Sequence, residues 1–397
     1  MSLRHALLLL VTPLAVGALV LAACASSTPA GPAPAFTLPE APAIRITPLP
    51  PLPAELPPEA AFPSVADPAW EKLPAAQVAL GKYLFFDDAL SGDQKLNCAT
   101  CHQPDRAWTD GLPLSVGYPG SLYFRNTPTL LNVGDKPLLY WDGRLDGNDL
   151  PTVIRDHIAE AHFMNADGLL VVERLNQKPQ YVELFRAAYG GGPSYGRMLN
   201  AVAAYVGSLY SPPSAYDRYR AGEAEALSAQ AQAGLALFEG KARCATCHSG
   251  TLFSDGQYHN LGLPQNPDIF DEPLRHITFR RFFRTLGVPD YSKLEVDVGR
   301  YALTQDNSDS GYFLTPALRE VGRTAPYMHN GIFATLEEVV AFYNAGGGES
   351  SELSPLNLTP AEQAALVAFL ESLSGELVPV EPPEVPAYQI TILGGDR

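Results

Sequence analysis

The sequence has little positive charge. Lys and Arg number 27 against 43 Asp and Glu, which gives a formal net charge of −16 over 397 residues. Because a nucleic-acid-binding surface needs an excess of basic groups, this balance argues against a nucleic-acid partner. The acidity indicates either a solvated surface or one that attracts a basic partner. With 46% hydrophobic residues the chain is not globally disordered, and its length suits two or three domains.

Cysteine is also scarce. Five cysteines are too few for a disulfide framework in a chain of this length, and their number is odd. They divide into Cys24 near the N-terminus and two C-x-x-C pairs, Cys98 with Cys101 and Cys244 with Cys247. This division is the main functional clue in the sequence.

The first residues have the pattern of an export signal. Arg4 and His5 precede an apolar run from Ala6 to Ala23 that contains no acidic residue. The end of the run, Leu21-Ala22-Ala23-Cys24, resembles a bacterial lipobox, in which Cys24 is lipidated after cleavage. An ordinary cleaved signal and a retained membrane anchor are the alternatives. We expect residues 1–23 to be a lipoprotein signal and the rest of the chain to lie on the periplasmic side of a bacterial membrane.

A proline-rich segment follows. Residues 25–68 contain 13 of the 37 prolines, which excludes a helix or a sheet interior and favours extended polyproline II. At about 3.1 Å per residue such a segment reaches on the order of 140 Å. We interpret residues 24–69 as a tether that holds the following domains away from the membrane.

The remainder contains an internal repeat. A short helical pattern with a central glycine precedes the pentapeptide Cys-Ala-Thr-Cys-His twice, once before Cys98 and once before Cys244. The repeat predicts two tandem domains, residues 70–222 and 223–378, and a tail at 379–397. Alternating strand patterns are nearly absent, so the fold class is expected to be mainly α with long loops. Helices are predicted at residues 74–86, 197–210, 228–239, 336–344 and 360–373, with capping signals at Ser228, Thr335 and Thr359.

The sequence C-x-x-C-H has a specific chemical use. Its two thiols add across the two vinyl groups of a haem, and the adjacent histidine becomes the axial ligand of the iron. A structural zinc site would need its two pairs far closer in sequence, and a thioredoxin-like pair would need a βαβ context. We therefore predict two covalent haems c, with His102 and His248 as the proximal iron ligands.

The arrangement of further motifs resembles the bacterial di-haem cytochrome c peroxidase and MauG family over residues 75 to 348. The matching segments are Leu80-Gly81 with Leu84-Phe85, Asp110-Gly111, Ser115-Val116-Gly117, Arg125-Asn126-Thr127-Pro128-Thr129-Leu130, Trp141-Asp142-Gly143-Arg144, Thr315-Pro316-Ala317-Leu318-Arg319, Thr324-Ala325-Pro326-Tyr327-Met328-His329-Asn330-Gly331 and Thr335-Leu336-Glu337-Glu338. The resemblance implies a cytochrome c-like fold in each domain. It also implies that peroxide reacts at the first haem and that the second haem relays electrons.

The resemblance implies roles for individual residues as well. Trp141 corresponds to the tryptophan that lies between the haems and would be the relay. Asn126, through its side chain, and Thr324 and Pro326, through their carbonyls, would hold a calcium ion, for which hard oxygen ligands are suited. A large core aromatic and a turn-capping amide are the alternatives for Trp141 and Asn126.

Two departures from the peroxidase pattern point toward MauG-like members. The methionine that ligates the second haem in peroxidases is replaced by Tyr343, which would be an iron ligand as in MauG; Met328 as the ligand and plain packing of Tyr343 are alternatives. Where peroxidases have a loop histidine that caps the first iron, this chain has Tyr118, so the first haem is expected to be permanently open.

The catalytic acid/base of the first haem is not settled by the resemblance. No alignment puts the family's glutamate directly before Met164. His162 and Glu160 are both candidates for moving the proton during O–O cleavage, with His162 favoured and neither residue as the remaining alternative. His157 is expected to be structural, and His329 is expected to hold the loop between the haems rather than ligate iron.

The expected function is therefore reduction of hydrogen peroxide by a di-haem peroxidase, with a c-type cytochrome or cupredoxin as electron donor. The alternatives are MauG-like oxidation of side chains in a partner protein and a pure di-haem electron carrier. A homodimer is expected by analogy with the family alone.

Overall fold

The structure is a computed structural model that describes residues 73–388. Twelve α-helices of that part follow in chain order: α1 (Ala75–Phe85), α2 (Leu150–Ala159), α3 (Gly168–Asn176), α4 (Pro179–Tyr189), α5 (Tyr195–Gly207), α6 (Ala215–Arg220), α7 (Ala229–Glu239), α8 (Asp268–Asp271), α9 (Pro273–Thr285), α10 (Tyr301–Thr304), α11 (Leu336–Ala345) and α12 (Pro360–Glu371). The expected mainly α fold is confirmed.

Sheet structure is minimal in the described residues. Two antiparallel pairs of two-residue strands occur, β1 (Leu138–Leu139) with β2 (Leu145–Asp146), and β3 (Tyr258–His259) with β4 (Phe313–Leu314). No helix within residues 73–388 has the length and apolar character needed to cross a bilayer. The predicted signal, lipobox and tether, residues 1–69, all lie outside the described residues.

The five helices predicted from the sequence are all present. Their ends lie within three residues of the prediction, and the capped starts at Leu336 and Pro360 match it. Thr335 and Thr359 each form a capping box with a glutamate three residues later, and the Ser228 hydroxyl accepts the N–H of Ala231. Other helices, α2, α3, α4 and α9 among them, were not predicted.

The internal repeat is visible in how the helices pack. Helix α1 packs on α5, and α7 packs on α12, in each case with a glycine at the crossing. A Cβ on Gly81 would lie 1.9 Å from the carbonyl oxygen of Ala201, and a Cβ on Gly234 would lie 1.9 Å from that of Ala365. The central glycine of each repeat is therefore required because a neighbouring backbone touches it.

Three hydrophobic clusters form the interior. One consists of residues between 80 and 209, a second of residues between 216 and 373, and the third combines residues 114–124 with residues 269–302. The third cluster therefore joins segments that precede and follow the predicted domain boundary at 222/223. The C-terminal segment returns to the first cluster, where Leu377 and Val380 pack and the Tyr388 hydroxyl donates to Gln94.

Candidate functional site

The two C-x-x-C-H motifs have the same local geometry. Each begins with one 3-10 turn, Cys98–Thr100 and Cys244–Thr246, and each histidine N–H donates to the carbonyl of the first cysteine over 2.9 Å. All four cysteines are free thiols and half-buried. Two thiols held one turn apart, beside a histidine, form the donor set that covalent haem attachment requires.

The proximal histidines are oriented by backbone carbonyls. Nδ1 of His102 is 3.0 Å from the Trp108 carbonyl oxygen, and Nδ1 of His248 is 2.9 Å from that of Phe253. A carbonyl only accepts, so Nδ1 carries the proton and Nε2 remains available as the iron ligand. Burial lowers the pKa of both histidines, which keeps the rings neutral as metal binding requires. The residues present therefore fit two haems c.

Trp141 is attached to segments on both sides of the predicted domain boundary. Its indole Nε1–H donates to the carbonyl of Asn126 over 2.9 Å, and its own carbonyl accepts the N–H of Leu314 over 2.8 Å. The side chain is half-buried. This tryptophan is thus fixed at the seam between the two halves.

A buried ion-pair network adjoins Trp141. Arg125 is 1% exposed and donates to Asp142 over 2.6 Å and to both carboxylate oxygens of Asp297 over 2.7 and 2.8 Å. Arg125 keeps the pKa of each aspartate below its ordinary value, although burial opposes this. Asp297 has no local signal in the sequence, because its partner Arg125 is 172 residues away.

The two candidate acid/base residues lie in contact. Nε2 of His162 is 2.8 Å from Oε2 of Glu160, and Nη2 of Arg144 is 4.0 Å from the same oxygen. The His162 ring stacks on the ring of Tyr123, with centroids 5.1 Å apart and planes 4° apart. We call Tyr123, Arg144, Glu160 and His162 the His162 cluster.

The His162 cluster has unused hydrogen-bonding capacity. The Tyr123 hydroxyl, Arg144 Nη2, Glu160 Oε2 and His162 Nε2 are all buried, and none has an aligned hydrogen-bond partner among the described residues. Burial opposes ionisation of Glu160, but the neighbouring His162 and Arg144 lower its pKa below the ordinary value. Buried polar atoms in this state are the expected features of a site that binds a polar molecule.

The His162 cluster adjoins the first C-x-x-C-H motif. Ser115 Oγ is 3.7 Å from Cys101 Sγ, and the Ser115 carbonyl accepts the N–H of Tyr123 over 3.0 Å. The His162 carbonyl accepts the N–H of Tyr118, so the loop that lacks a histidine is attached to the same cluster. A continuous path of contacts therefore joins the first haem site to His162.

His157 is half-buried and its ring already has partners. Its Nδ1 is 2.8 Å from the Tyr140 hydroxyl and 3.0 Å from the Val153 carbonyl, and its ring stacks on Phe163 with centroids 4.6 Å apart. Burial lowers the pKa of His157 to about 4. These contacts agree with the structural role predicted for it.

Tyr343 lies beside the second C-x-x-C-H motif. It is on α11, half-buried, and its pKa is raised first by burial and then by the neighbouring Cys244 and Cys247. The sequence analysis placed this residue opposite His248 as an iron ligand, and the structure puts it within electrostatic reach of both thiols. Met328, the alternative ligand, lies at a positive φ of 73° in the loop before α11.

The candidate calcium residues lie near one another in the fold. The Asn126 N–H donates to the carbonyl of His329 over 2.8 Å, which joins its segment to the loop containing Thr324 and Pro326. The Asn126 side-chain Nδ2 donates to the Leu112 carbonyl over 2.9 Å, and its Oδ1 forms no hydrogen bond within residues 73–388. A side-chain amide oxygen without a hydrogen bond is available as a calcium ligand.

His329 is buried at the same junction. Its ring stacks on Phe313 with centroids 3.7 Å apart, and its Nε2 has no hydrogen-bond partner among the described residues. Burial lowers its pKa to about 4, partly opposed by Asp297. Its backbone contact with Asn126 agrees with the loop-holding role expected from the sequence.

Comparison with known proteins gives consistent matches. The family described as di-haem cytochrome c peroxidase matches residues 75–225. The cytochrome-c peroxidase IdrP2 of Pseudomonas sp. strain SCT is 50% identical over 319 residues, covering 80% of this chain and 87% of that protein. The methylamine utilization protein MauG of Methylorubrum extorquens is 36% identical over 329 residues, covering 81% of this chain and 85% of that protein.

A solved structure agrees with these matches. A MauG-like protein associated with microbial copper homeostasis superposes with a TM-score of 0.66 at 30% identity, covering 82% of this chain and 95% of that one. The resemblance inferred from the motifs is confirmed by the sequence and structural matches together. The chain belongs to the di-haem cytochrome c peroxidase family.

Proposed function

We propose that this protein reduces hydrogen peroxide at the first haem with electrons that a small donor protein supplies through the second. Family membership supports the reaction class, and the His162 cluster beside Cys101 is the observation that carries the assignment to this site. When bound, the two haems supply the iron at which peroxide is reduced and a store of electrons for that reduction.

The His162 cluster handles the proton. Reduction of peroxide requires that a proton leave the near oxygen and reach the departing one. Nε2 of His162 and Oε2 of the ionised Glu160, which lie 2.8 Å apart, form the pair that takes up and releases this proton. Arg144 adds a positive charge at 4.0 Å from Glu160, which favours the ionised carboxylate.

In this proposal Trp141 relays electrons between the two halves. The indole is held by Asn126 on one side, and its backbone is held by Leu314 on the other. Two hydrogen bonds from opposite halves fix an oxidisable aromatic ring at the seam. A freely rotating surface tryptophan would lack this restraint.

MauG-like oxidation of a protein substrate is the second candidate. The position of Tyr343 beside Cys244 and Cys247 favours it, since an anionic oxygen ligand stabilises oxidised iron whereas methionine raises the potential. The absence of a histidine at Tyr118 also supports a first haem that needs no reductive opening.

Three further parts complete the proposal. Asn126, Thr324 and Pro326 hold a calcium ion between the haems. Cys24 carries a lipid that anchors the protein, and the segment 24–69 holds the haem domains at a distance from the membrane. The enzyme thus works on the periplasmic side of a bacterial membrane, where covalent haem attachment takes place.

The deciding experiment adds one equivalent of hydrogen peroxide to the untreated diferric protein and follows the Soret band and the high-spin EPR signal. Immediate loss of the high-spin signal is expected if the first iron is always open. A reaction only after pre-reduction of one haem would mean that another group caps the first iron and that the argument from Tyr118 is wrong. Absence of reaction in both states would leave the electron carrier as the function.

A further inference from the structure

A crevice opens where the segment after His102 meets the loop before His329. Its volume is about 370 Å³, within the range of about 300–1,000 Å³ that is usual for small-molecule pockets. Three segments line it: the first supplies Asp105, Arg106 and Thr109, the second Arg323 and Ala325, and the C-terminal segment Leu377. We call it the Arg106–Arg323 crevice. The proposed function uses none of these residues.

The crevice is positively charged in an acidic protein. Its lining includes the guanidiniums of Arg106 and Arg323 and the carboxylate of Asp105, whereas the whole chain has a net charge of −16. Positive charge in a concave site attracts anions. Both arginines are exposed, so an anion reaches them directly from solvent.

Most of the donor capacity of these two arginines is unused. Within residues 73–388, the Arg106 side chain donates one hydrogen bond, from Nη1 to the Asp110 carbonyl over 3.4 Å. Arg323 donates from Nε to the Gly375 carbonyl over 3.0 Å, and the same Nε lies 3.8 Å from the buried Glu320 carboxylate. In that part of the chain its Nη1 and Nη2 have no hydrogen-bond partner. A guanidinium presents its N–H groups as a fork that matches a carboxylate, so each arginine can bind one carboxylate through parallel hydrogen bonds.

The lining also has an apolar part. Ala325 and Leu377 contribute aliphatic surface, and Leu377 is itself held in place because it packs on the first hydrophobic cluster. A short hydrocarbon chain covers such a surface and removes it from water, which a bare phosphate does not do. Two guanidiniums beside an aliphatic surface therefore favour a small organic dicarboxylate over an inorganic anion.

The crevice adjoins segments that matter to both predicted metal sites. Arg106 is two residues before Trp108, whose carbonyl lies 3.0 Å from Nδ1 of His102. Arg323 directly precedes Thr324, one of the predicted calcium ligands. A ligand that binds both arginines therefore connects these two segments.

We propose that the Arg106–Arg323 crevice binds a small organic dicarboxylate. One carboxylate pairs with Arg106 and the other with Arg323, and the hydrocarbon chain between them lies on Ala325 and Leu377. Binding restrains both segments and stabilises the folded protein, since the unfolded chain has no such site. The proposal does not depend on the peroxidase function, because it concerns the resting ferric protein without peroxide.

The test uses the full haem-loaded protein in the ferric state. Affinity is measured calorimetrically for succinate, for butyrate as the monocarboxylate of the same chain length, and for inorganic phosphate. The test variant is R106Q/R323Q. The control variant R186Q/R218Q has the same change in charge at exposed positions outside the crevice. Amide hydrogen exchange of residues 105–111 and 322–325 in the wild type, with and without succinate, locates the bound ligand.

The wild type and R186Q/R218Q are expected to bind succinate saturably and alike. R106Q/R323Q is expected to lose about tenfold or more in affinity, because charge-assisted hydrogen bonds are removed. Butyrate is expected to bind the wild type about tenfold more weakly than succinate, because it leaves one arginine unpaired. Succinate is expected to slow exchange in both segments of the wild type, a result that does not require a variant to fold.

Four results would each overturn the proposal. These are no saturable binding of succinate, equal affinities for succinate and butyrate, binding of phosphate alone, and equal losses of affinity in the two variants. Unchanged exchange of both segments in the presence of saturating succinate would overturn it as well, because the ligand would then bind elsewhere.

Discussion

At the scale of single residues, the acid/base assignment depends on a contact that the sequence does not show. Glu160 and His162 are two positions apart, outside a helix, so their spacing gives no guarantee that their side chains meet. The structure brings them to 2.8 Å and stacks His162 on Tyr123. The imidazole and the ionised carboxylate are thus close enough to share a proton, and stacking on the Tyr123 ring fixes the plane of the imidazole.

Replacing His162 with Gln is expected to slow the reaction of peroxide with the diferric protein by roughly 10²- to 10⁴-fold, because the transferring group is lost. Glu160→Gln is expected to have a smaller effect, because it removes only the orienting charge. Stopped-flow absorbance gives both rates. His276→Gln serves as the control, since that ring packs on Phe270 and not on the His162 cluster. Wild-type rates in both cluster variants would show that neither residue acts at the first haem.

Other residue-scale features had no signal in the sequence. The partners of His102 and His248 are backbone carbonyls of Trp108 and Phe253, which any residue could supply. Asp297 has no neighbour in sequence that marks it as the second counter-ion of Arg125. The cysteines and histidines of the haem motifs were predictable because their chemistry requires fixed spacing, whereas these partners are defined by tertiary structure alone.

At the scale of elements, the two glycine crossings determine how close the helices approach. In α1 against α5 and in α7 against α12, the backbone of one helix occupies the space of the missing Cβ of the other. The sequence predicted these helices from their apolar periodicity and capping residues. It did not predict α2, α3, α4 and α9, although they bury apolar residues at helical spacing, such as Val171 with Leu175 in α3 and Tyr181 with Phe185 in α4.

Gly81→Ala and Gly234→Ala are each expected to lower the free energy of unfolding by about 1–3 kcal/mol or more, because the added methyl overlaps a backbone carbonyl that cannot move aside. Gly196→Ala in α5 is the matched control. A Cβ there meets nothing within 4 Å, so that variant is expected to be neutral or stabilised. Urea unfolding of the haem-loaded proteins measures all three. Equal stability of the three variants would contradict the close approach.

At the scale of the whole molecule, buried histidines make stability depend on pH. Burial lowers the pKa of His157 and His329 to about 4, against about 6.5 in an unfolded chain. Between these values the unfolded chain binds protons that the folded protein does not bind. Stability is therefore complete above about pH 6.5 and falls as the pH falls toward 4.

The free energy of unfolding is expected to decrease by on the order of 1 kcal/mol per pH unit for each histidine in that window. In the double variant H157Q/H329Q, the free energy of unfolding is expected to fall less steeply as the pH decreases. Above pH 7 the difference in free energy of unfolding between this variant and the wild type is expected to stay constant. Urea titrations at pH 7, 6 and 5 measure this slope. An unchanged slope in the double variant would show that other groups cause the acid sensitivity.

The salt-bridged Arg125 also determines whether the duplicated halves can be separated. The repeat suggests two modules that an experimenter could divide at residues 222/223. Division there would leave Arg125 with Asp142 in one fragment and remove Asp297 to the other, so each fragment would expose or strand a charge that is now fully enclosed. The two halves are therefore expected to fold as one unit, and neither fragment is expected to be stable by itself.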